Sequence, residues 1–329
     1  MELKVLLKHK GIGKKGSKSL TEQEVKVLRE IIYHQKPNII TLATMLTAIL
    51  MLDANTYETQ LISSLKQDYK IILPRSLHFL FKKSEDEFTQ LCSKIIQHQD
   101  LSEKEAFTAV DYLFDTNILP EHKAIFLESE RLKRETYKEN KTFFQAFDNQ
   151  VNTVKISVTD LLQLCDSYDG CVRINPITIF ICPILAALGL SVYMTGLKQV
   201  APKNGVTAHQ QLLALGKNPS LSIAESKTEL ETVGWTYIDQ SQFFPKLHNL
   251  LNLREKMVKR PFLATFEKIL PVFEANKNYC YTSYTHKAYR NQVVELLRDT
   301  NYYNRIVNVK GVEATTKPFM NRETNYVFI

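Results

Sequence analysis

Residues 165–178 read Cys165-Asp166-Ser167-Tyr168-Asp169-Gly170-Cys171-Val172-Arg173-Ile174-Asn175-Pro176-Ile177-Thr178, and an apolar run continues to Leu190. A turn carrying an acid and a glycine here opens a buried helix. That helix leads into a β-branched stretch, Leu190–Thr195, and then into a second glycine-containing loop, Pro202-Lys203-Asn204-Gly205-Val206-Thr207. Loop, helix, strand and loop in this order predict one unit of an α/β domain.

Working outward, Val154–Val158, Gly234–Ile238, Tyr279–Thr285 and Arg305–Lys310 read as further strands. Helical patterns such as Thr207–Leu215 and His286–Leu297 separate them. Alternation of this kind predicts a mostly parallel sheet flanked by helices. The first half has a different texture. Thr21 with Glu24 has the spacing of a capping box before a helix, and Ser102 with Glu105 repeats it 81 residues downstream. Each cap is followed by a helix, a break at Lys36-Pro37-Asn38 or Asn117–Pro120, and a second helix. The fold class expected is α/β, with an N-terminal all-helical domain over 1–150, bearing a duplicated helical unit, and the sheet domain over 151–329.

The 329 residues suffice for two domains. Ten glycines are few, so those in loops carry information. A net charge of +7 directs attention to polyanion partners. Five scattered cysteines without a C-x-x-C pair fit a reducing compartment and speak against a zinc site. Residues 1–18 lack the apolar segment of a signal peptide. Ile39–Leu52 is too short to span a bilayer, and Ile174–Val192 is interrupted by Pro183 and Gly189. Both are expected to be buried helices of a cytoplasmic protein without a membrane partner.

The ordered set Tyr168-Asp169-Gly170, Pro176-Ile177-Thr178, Pro202-Lys203-Asn204-Gly205-Val206, Lys259-Arg260-Pro261 and Lys310-Gly311-Val312-Glu313-Ala314 resembles anthranilate phosphoribosyltransferase, among the family 3 glycosyltransferases and nucleoside phosphorylases. It looks more like the divergent second branch of that family. The resemblance implies a phosphosugar cleft with Asp169, Gly170, Asn175, Thr178, Lys203, Gly205 and Arg254 as contacts. It also implies a homodimer formed through the helical domain by apolar faces such as Ile39–Leu52.

The chemistry of an active member is not matched. Three glycines of the family's Gly-Thr-Gly-Gly-Asp-Gly loop, which let backbone N–H groups approach a pyrophosphate, are replaced by Cys165, Ser167 and Tyr168. Asp166 adds negative charge there. Of the family's magnesium-holding Asp-Glu pair, Glu313 is what remains, followed by Ala314 and Thr315. Standard anthranilate transfer is therefore not expected, and neither are catalytic residues, a metal or a cofactor. Members of the divergent branch bind nucleic acid non-specifically through basic grooves. Here Lys8, Lys10, Lys14, Lys15, Lys18, Lys256, Lys259 and Arg260 form two basic stretches suited to backbone phosphates. The alternative is pentosyl transfer to another acceptor in the remnant cleft, using phosphoribosyl pyrophosphate and magnesium.

Overall fold

The structure, a computed structural model, describes residues 2–10, 16–287 and 289–319 and the backbone of 326–328. It divides into two compact units, Met1–Phe143 with Leu250–Phe262, and Phe144–Asn249 with Leu263–Ile329. The sequence suggested a single crossing near residue 150. The return of 250–262 to the first unit was not visible, because a short helical pattern there fits either unit.

The first unit is helical: α1 (Leu3–Lys10), α2 (Glu22–His34), α3 (Ile39–Met51), α4 (Thr56–Ile72), α5 (Glu87–Ile96), α6 (Glu103–Phe114), α7 (Pro120–Lys133) and α8 (Tyr137–Asp148), whose last turn crosses the division. Thr21 and Ser102 both make the anticipated capping boxes. A second pair of contacts keeps the same spacing. Leu20 N donates to Glu58 Oε1 at 3.0 Å, and Leu101 N donates to Glu139 Oε1 at 2.8 Å. Asn55 N and Thr136 N reach the other oxygens of these carboxylates, at 3.0 and 2.8 Å. A lysine closes each clamp: Lys10 lies 2.9 Å from Glu58, and Lys133 lies 2.6 Å from Glu139. Eleven of the thirteen residues of α3 are buried, and the helix packs along α7. The face expected to join two copies is thus consumed within one chain.

Half-buried acids of this chain contribute to its pH response. Burial pushes Glu135 up to about 7 and Asp148 up to about 6. Each is protonated in the fold at a pH where the unfolded chain has released the proton, so stability falls as pH rises towards these values. Glu105 is the opposite case: burial opposes its ionisation, but hydrogen bonds from Lys94 and Ser102 outweigh that and hold it at about 2. Its contribution is lost as pH falls from the ordinary carboxylate range towards 2. Thermal melts should therefore give a higher midpoint near pH ~5 than near pH ~7.5. A midpoint that climbs steadily across that interval would contradict the assignment.

The second unit is built on a six-stranded sheet of order β4-β3-β2-β6-β7-β8. Its strands are β2 (Asp160–Cys165), β3 (Ser191–Gly196), β4 (Trp235–Asp239), β6 (Lys277–Tyr284), β7 (Arg305–Lys310) and β8 (Tyr326–Phe328). All pair in parallel except the β7–β8 edge. A small parallel pair, β1 (Val154–Lys155) and β5 (Phe273–Glu274), stands apart. The helices are α9 (Thr178–Ala187), α10 (Ala208–Ala214), α11 (Ile223–Val233), α12 (Gln240–Phe243), α13 (Pro245–His248), α15 (Leu263–Phe266) and α16 (Tyr289–Arg298), while α14 (Leu251–Met257) belongs to the first unit.

The chain leaves β2 for β3 and β4 on one side and returns as β6 and β7 on the other. This makes a topological switch beside β2, the place where open α/β sheets form their sites. The sequence reading missed β2 because Leu161-Leu162-Gln163-Leu164 has low β-propensity and a polar centre. Buried Gln163 is satisfied: its Nε2 donates to Lys268 O and Leu270 O at 3.3 and 3.1 Å, and its Oε1 accepts from Tyr303 at 2.5 Å. Helix α9 corrects another expectation. Thr178, Ile179 and Cys182 are its buried residues and Leu185 packs partly beside them, while Phe180, Ile181 and Ile184 are exposed. No single helix among the described residues is long and apolar enough to cross a membrane.

Candidate anion site

Three loops meet beyond the C-terminal ends of the central strands: 166–177 after β2, 197–207 after β3 and 311–319 after β7. The first two are zipped backbone to backbone. Gly205 N donates to Asp169 O at 2.9 Å, Cys171 N to Val206 O at 2.9 Å, and Val206 N to Cys171 O at 2.8 Å. The approach requires glycine on both sides. A Cβ on Gly205 would lie 2.5 Å from Cys171 N, and one on Gly170, whose φ is +72°, would lie 2.5 Å from Val206 O.

The third loop locks onto the first. Ser167 N donates to Ala314 O at 3.2 Å, Thr316 N donates to Asp166 Oδ1 at 2.6 Å, and Thr178 Oγ1 meets Thr316 Oγ1 at 3.0 Å. Burial raises the Asp166 carboxyl above its ordinary value, and the bonds from Thr178 and Thr316 offset part of that. Glu313 is the chemical centre. Its carboxylate accepts from Arg173 N at 2.8 Å and Val172 N at 3.2 Å, and Lys203 Nζ lies 3.1 Å away. Burial opposes its ionisation, but the Arg173 N–H and the Lys203 ammonium outweigh this and hold it below its ordinary value. Two adjacent backbone donors and an ammonium converge on one anion, a geometry that also suits a phosphate oxygen. Glu313 and Ala314 have φ of +55° and +62°. Two successive non-glycine residues in the left-handed region are strained, and the surrounding bonds hold them there.

Tyr168 fills the interior, with its hydroxyl donating to Thr195 Oγ1 at 2.5 Å. The cavity left between Tyr168, Thr195, Leu197 and Thr207 is about 20 Å³, room for a water molecule. Outside lies an open trough of about 760 Å³ along Cys171–Asn175, Asn204–Val206 and Lys317.

Asp169, Gly170, Lys203 and Gly205 do come together. Lys203 Nζ lies 3.8 Å from Asp169 Oδ1 and also donates to Gly170 O. Asn175 lines the outer trough, Thr178 faces Thr316, and Arg254 is buried in the helical unit. Magnesium does not fit the remnant of its pair: the Glu313 carboxylate is taken by two N–H groups and Lys203, and no group of three or more His, Cys, Asp or Glu among the described residues could hold a metal.

The basic stretches need correction. Lys10 has no exposed surface and is paired with Glu58, so it cannot reach a phosphate. Lys259 is buried, which pulls it down to about 8, and Lys268 is buried as well. Lys8, Lys18 and Arg260 are exposed and Lys256 is half-buried. Lys14 and Lys15 lie outside the described residues. Sequence reasoning also missed a buried pair, His209 Nδ1 and Asp239 Oδ2 at 2.8 Å. It ties α10 to the end of β4; only the spacing of both residues from strand ends could have suggested it.

No family model matches this chain. An uncharacterized protein from Aquifex aeolicus (strain VF5) is 27% identical over 230 residues, 69% of this chain and 67% of its own length. Among solved structures, anthranilate phosphoribosyltransferase from Thermus thermophilus matches at a TM-score of 0.57 and 15% identity, covering 72% of both chains. The anthranilate phosphoribosyltransferase from Saccharomyces cerevisiae in complex with PRPP and Mg matches at 0.56 and 11% identity, covering 75% of this chain and 73% of its own. At these identities the likeness is one of fold: this chain has the fold of the anthranilate phosphoribosyltransferases.

Proposed function

We propose that this protein binds nucleic acid through backbone phosphates, without reading sequence, and does not transfer a phosphoribosyl group to anthranilate. Glu313 is the observation that supports this best. The donors Val172 N, Arg173 N and Lys203 Nζ hold an oxyanion at the surface. Behind them, the interior has about 20 Å³, too little for a sugar. Arg173 and Lys317 line the trough in front, where a phosphate could be met without entering the interior. The exposed Lys8 and Lys18 add positive charge on the helical unit.

Fluorescence anisotropy against salt tests the reading. Arg173→Ala with Lys317→Ala should weaken binding about equally on all sequences and flatten the log–log salt slope by about 2. Glu313→Gln, which removes a competing negative charge, should tighten binding. Absence of binding to DNA and RNA at low salt would overturn the proposal, and magnesium-dependent product from anthranilate would overturn the enzymatic silence. A second reading, pentosyl transfer on another substrate, is favoured by the convergence of Asp169, Gly170, Lys203 and Gly205. It requires calorimetric binding of a phosphosugar that Lys203→Ala abolishes.

A further inference from the structure

We propose that the exposed face of α9 is the surface on which two copies of this chain pair. Helices α3 and α9 are the most apolar among the described residues. The first is enclosed by its own unit, whereas α9 exposes Phe180 (43%), Ile181 (36%) and Ile184 (59%), and its two cap residues expose Ile177 (42%) and Leu188 (78%). Their spacing places them on one stripe. The helix cannot roll to hide that stripe, because Ile179 and Cys182 on its other side are packed with Val192, Met194 and Tyr237. Between Ile174 and Leu190 there is no charged residue.

The stripe suits a second copy. Each chain carries a net charge of +7, so two copies meet with least repulsion across an uncharged surface. A helical stripe is self-complementary about a twofold axis, ridge against groove. The five residues expose apolar area on the order of 500 Å², at the upper end of what a monomer leaves uncovered. That is the greater part of the ~800 Å² each partner gives to a standard interface. A lipid surface fits less well, since an interfacial helix presents lysine and arginine on its polar face and α9 has neither.

Sedimentation of the full chain at micromolar concentration should show a dimer. Ile184→Lys sets like charges close to the axis and should weaken association by more than about a hundredfold. Ile184→Gln should weaken it less. Circular dichroism should be unchanged in both, because Ile184 is largely exposed. A monomeric wild type, or a dimer that survives Ile184→Lys in a folded protein, would overturn the proposal. So would co-sedimentation of a wild-type monomer with phosphatidylglycerol vesicles that Ile184→Lys abolishes, because lipid would then be the occupant.

Discussion

Glu58→Ala is expected to lower the unfolding free energy by about 3–5 kcal/mol, as removal of one partner from a buried ion pair does. The Glu58 carboxylate has no exposed surface and holds three groups. Lys10 Nζ, itself fully buried, sits 2.9 Å away, and the N–H groups of Leu20 and Asn55 each donate at 3.0 Å. Alanine leaves an ammonium in the core with the Asp53 carbonyl, 2.8 Å away, and two orphaned backbone donors. Glu58→Gln keeps an acceptor and should lose less. Combining Lys10→Met with Glu58→Gln should cost less than the sum of the two single changes, because the second change removes the stranded charge. Urea denaturation followed by circular dichroism measures this. A loss under about 1 kcal/mol for Glu58→Ala would mean that the clamp does not hold the unit.

Those same contacts show what was legible in the sequence. Thr21-x-x-Glu24 and Ser102-x-x-Glu105 could be read as helix starts because a capping box is local, three residues end to end. The clamps that join Leu20 to Glu58 and Leu101 to Glu139 span 38 residues each. A glutamate at the third position of a helix looks the same in sequence whether it faces solvent or a buried lysine. Lys10 was misassigned for this reason: its charge is visible in the chain and its partner is not. In the sheet unit, four of the parallel strands were found from β-branched runs, while β2 escaped because its residues have low β-propensity and its place is set by non-local pairing with β3 and β6. The close approach of loops 166–177 and 197–207 left its trace in Gly170 and Gly205, where an added Cβ would meet backbone. Nothing in the sequence showed that Glu313 would occupy the anion position. That depends on a turn whose residues are 140 positions away from Arg173.

Gly311→Ala should destabilise the sheet unit by about 3 kcal/mol or more, the upper range for forced overpacking, and at the same time raise the affinity for phosphate groups. The constraint is space, since φ at Gly311 is −89°, a value open to any residue. An added Cβ would lie 1.8 Å from Thr315 O and 3.0 Å from Ser283 Cβ. Backbone has to move, and the segment that moves is the one that holds Glu313: Val312 N bonds Lys317 O at 2.9 Å, and Thr315 N bonds Val312 O at 3.0 Å. Displacing it withdraws Thr316 N from Asp166 and lifts the Glu313 carboxylate from Val172, Arg173 and Lys203, freeing those donors for an external oxyanion. Trp235, the one tryptophan, stands on β4 of this unit and reports its unfolding by fluorescence. Gly189→Ala is the matching control. Nothing lies within 4 Å of its Cβ position, so its φ of +89° alone is penalised, at about 1–2 kcal/mol, without effect on anion binding. If Gly311→Ala is no less stable than Gly189→Ala, or binds phosphate no better than wild type, the turn does not hold Glu313 in the anion position as described.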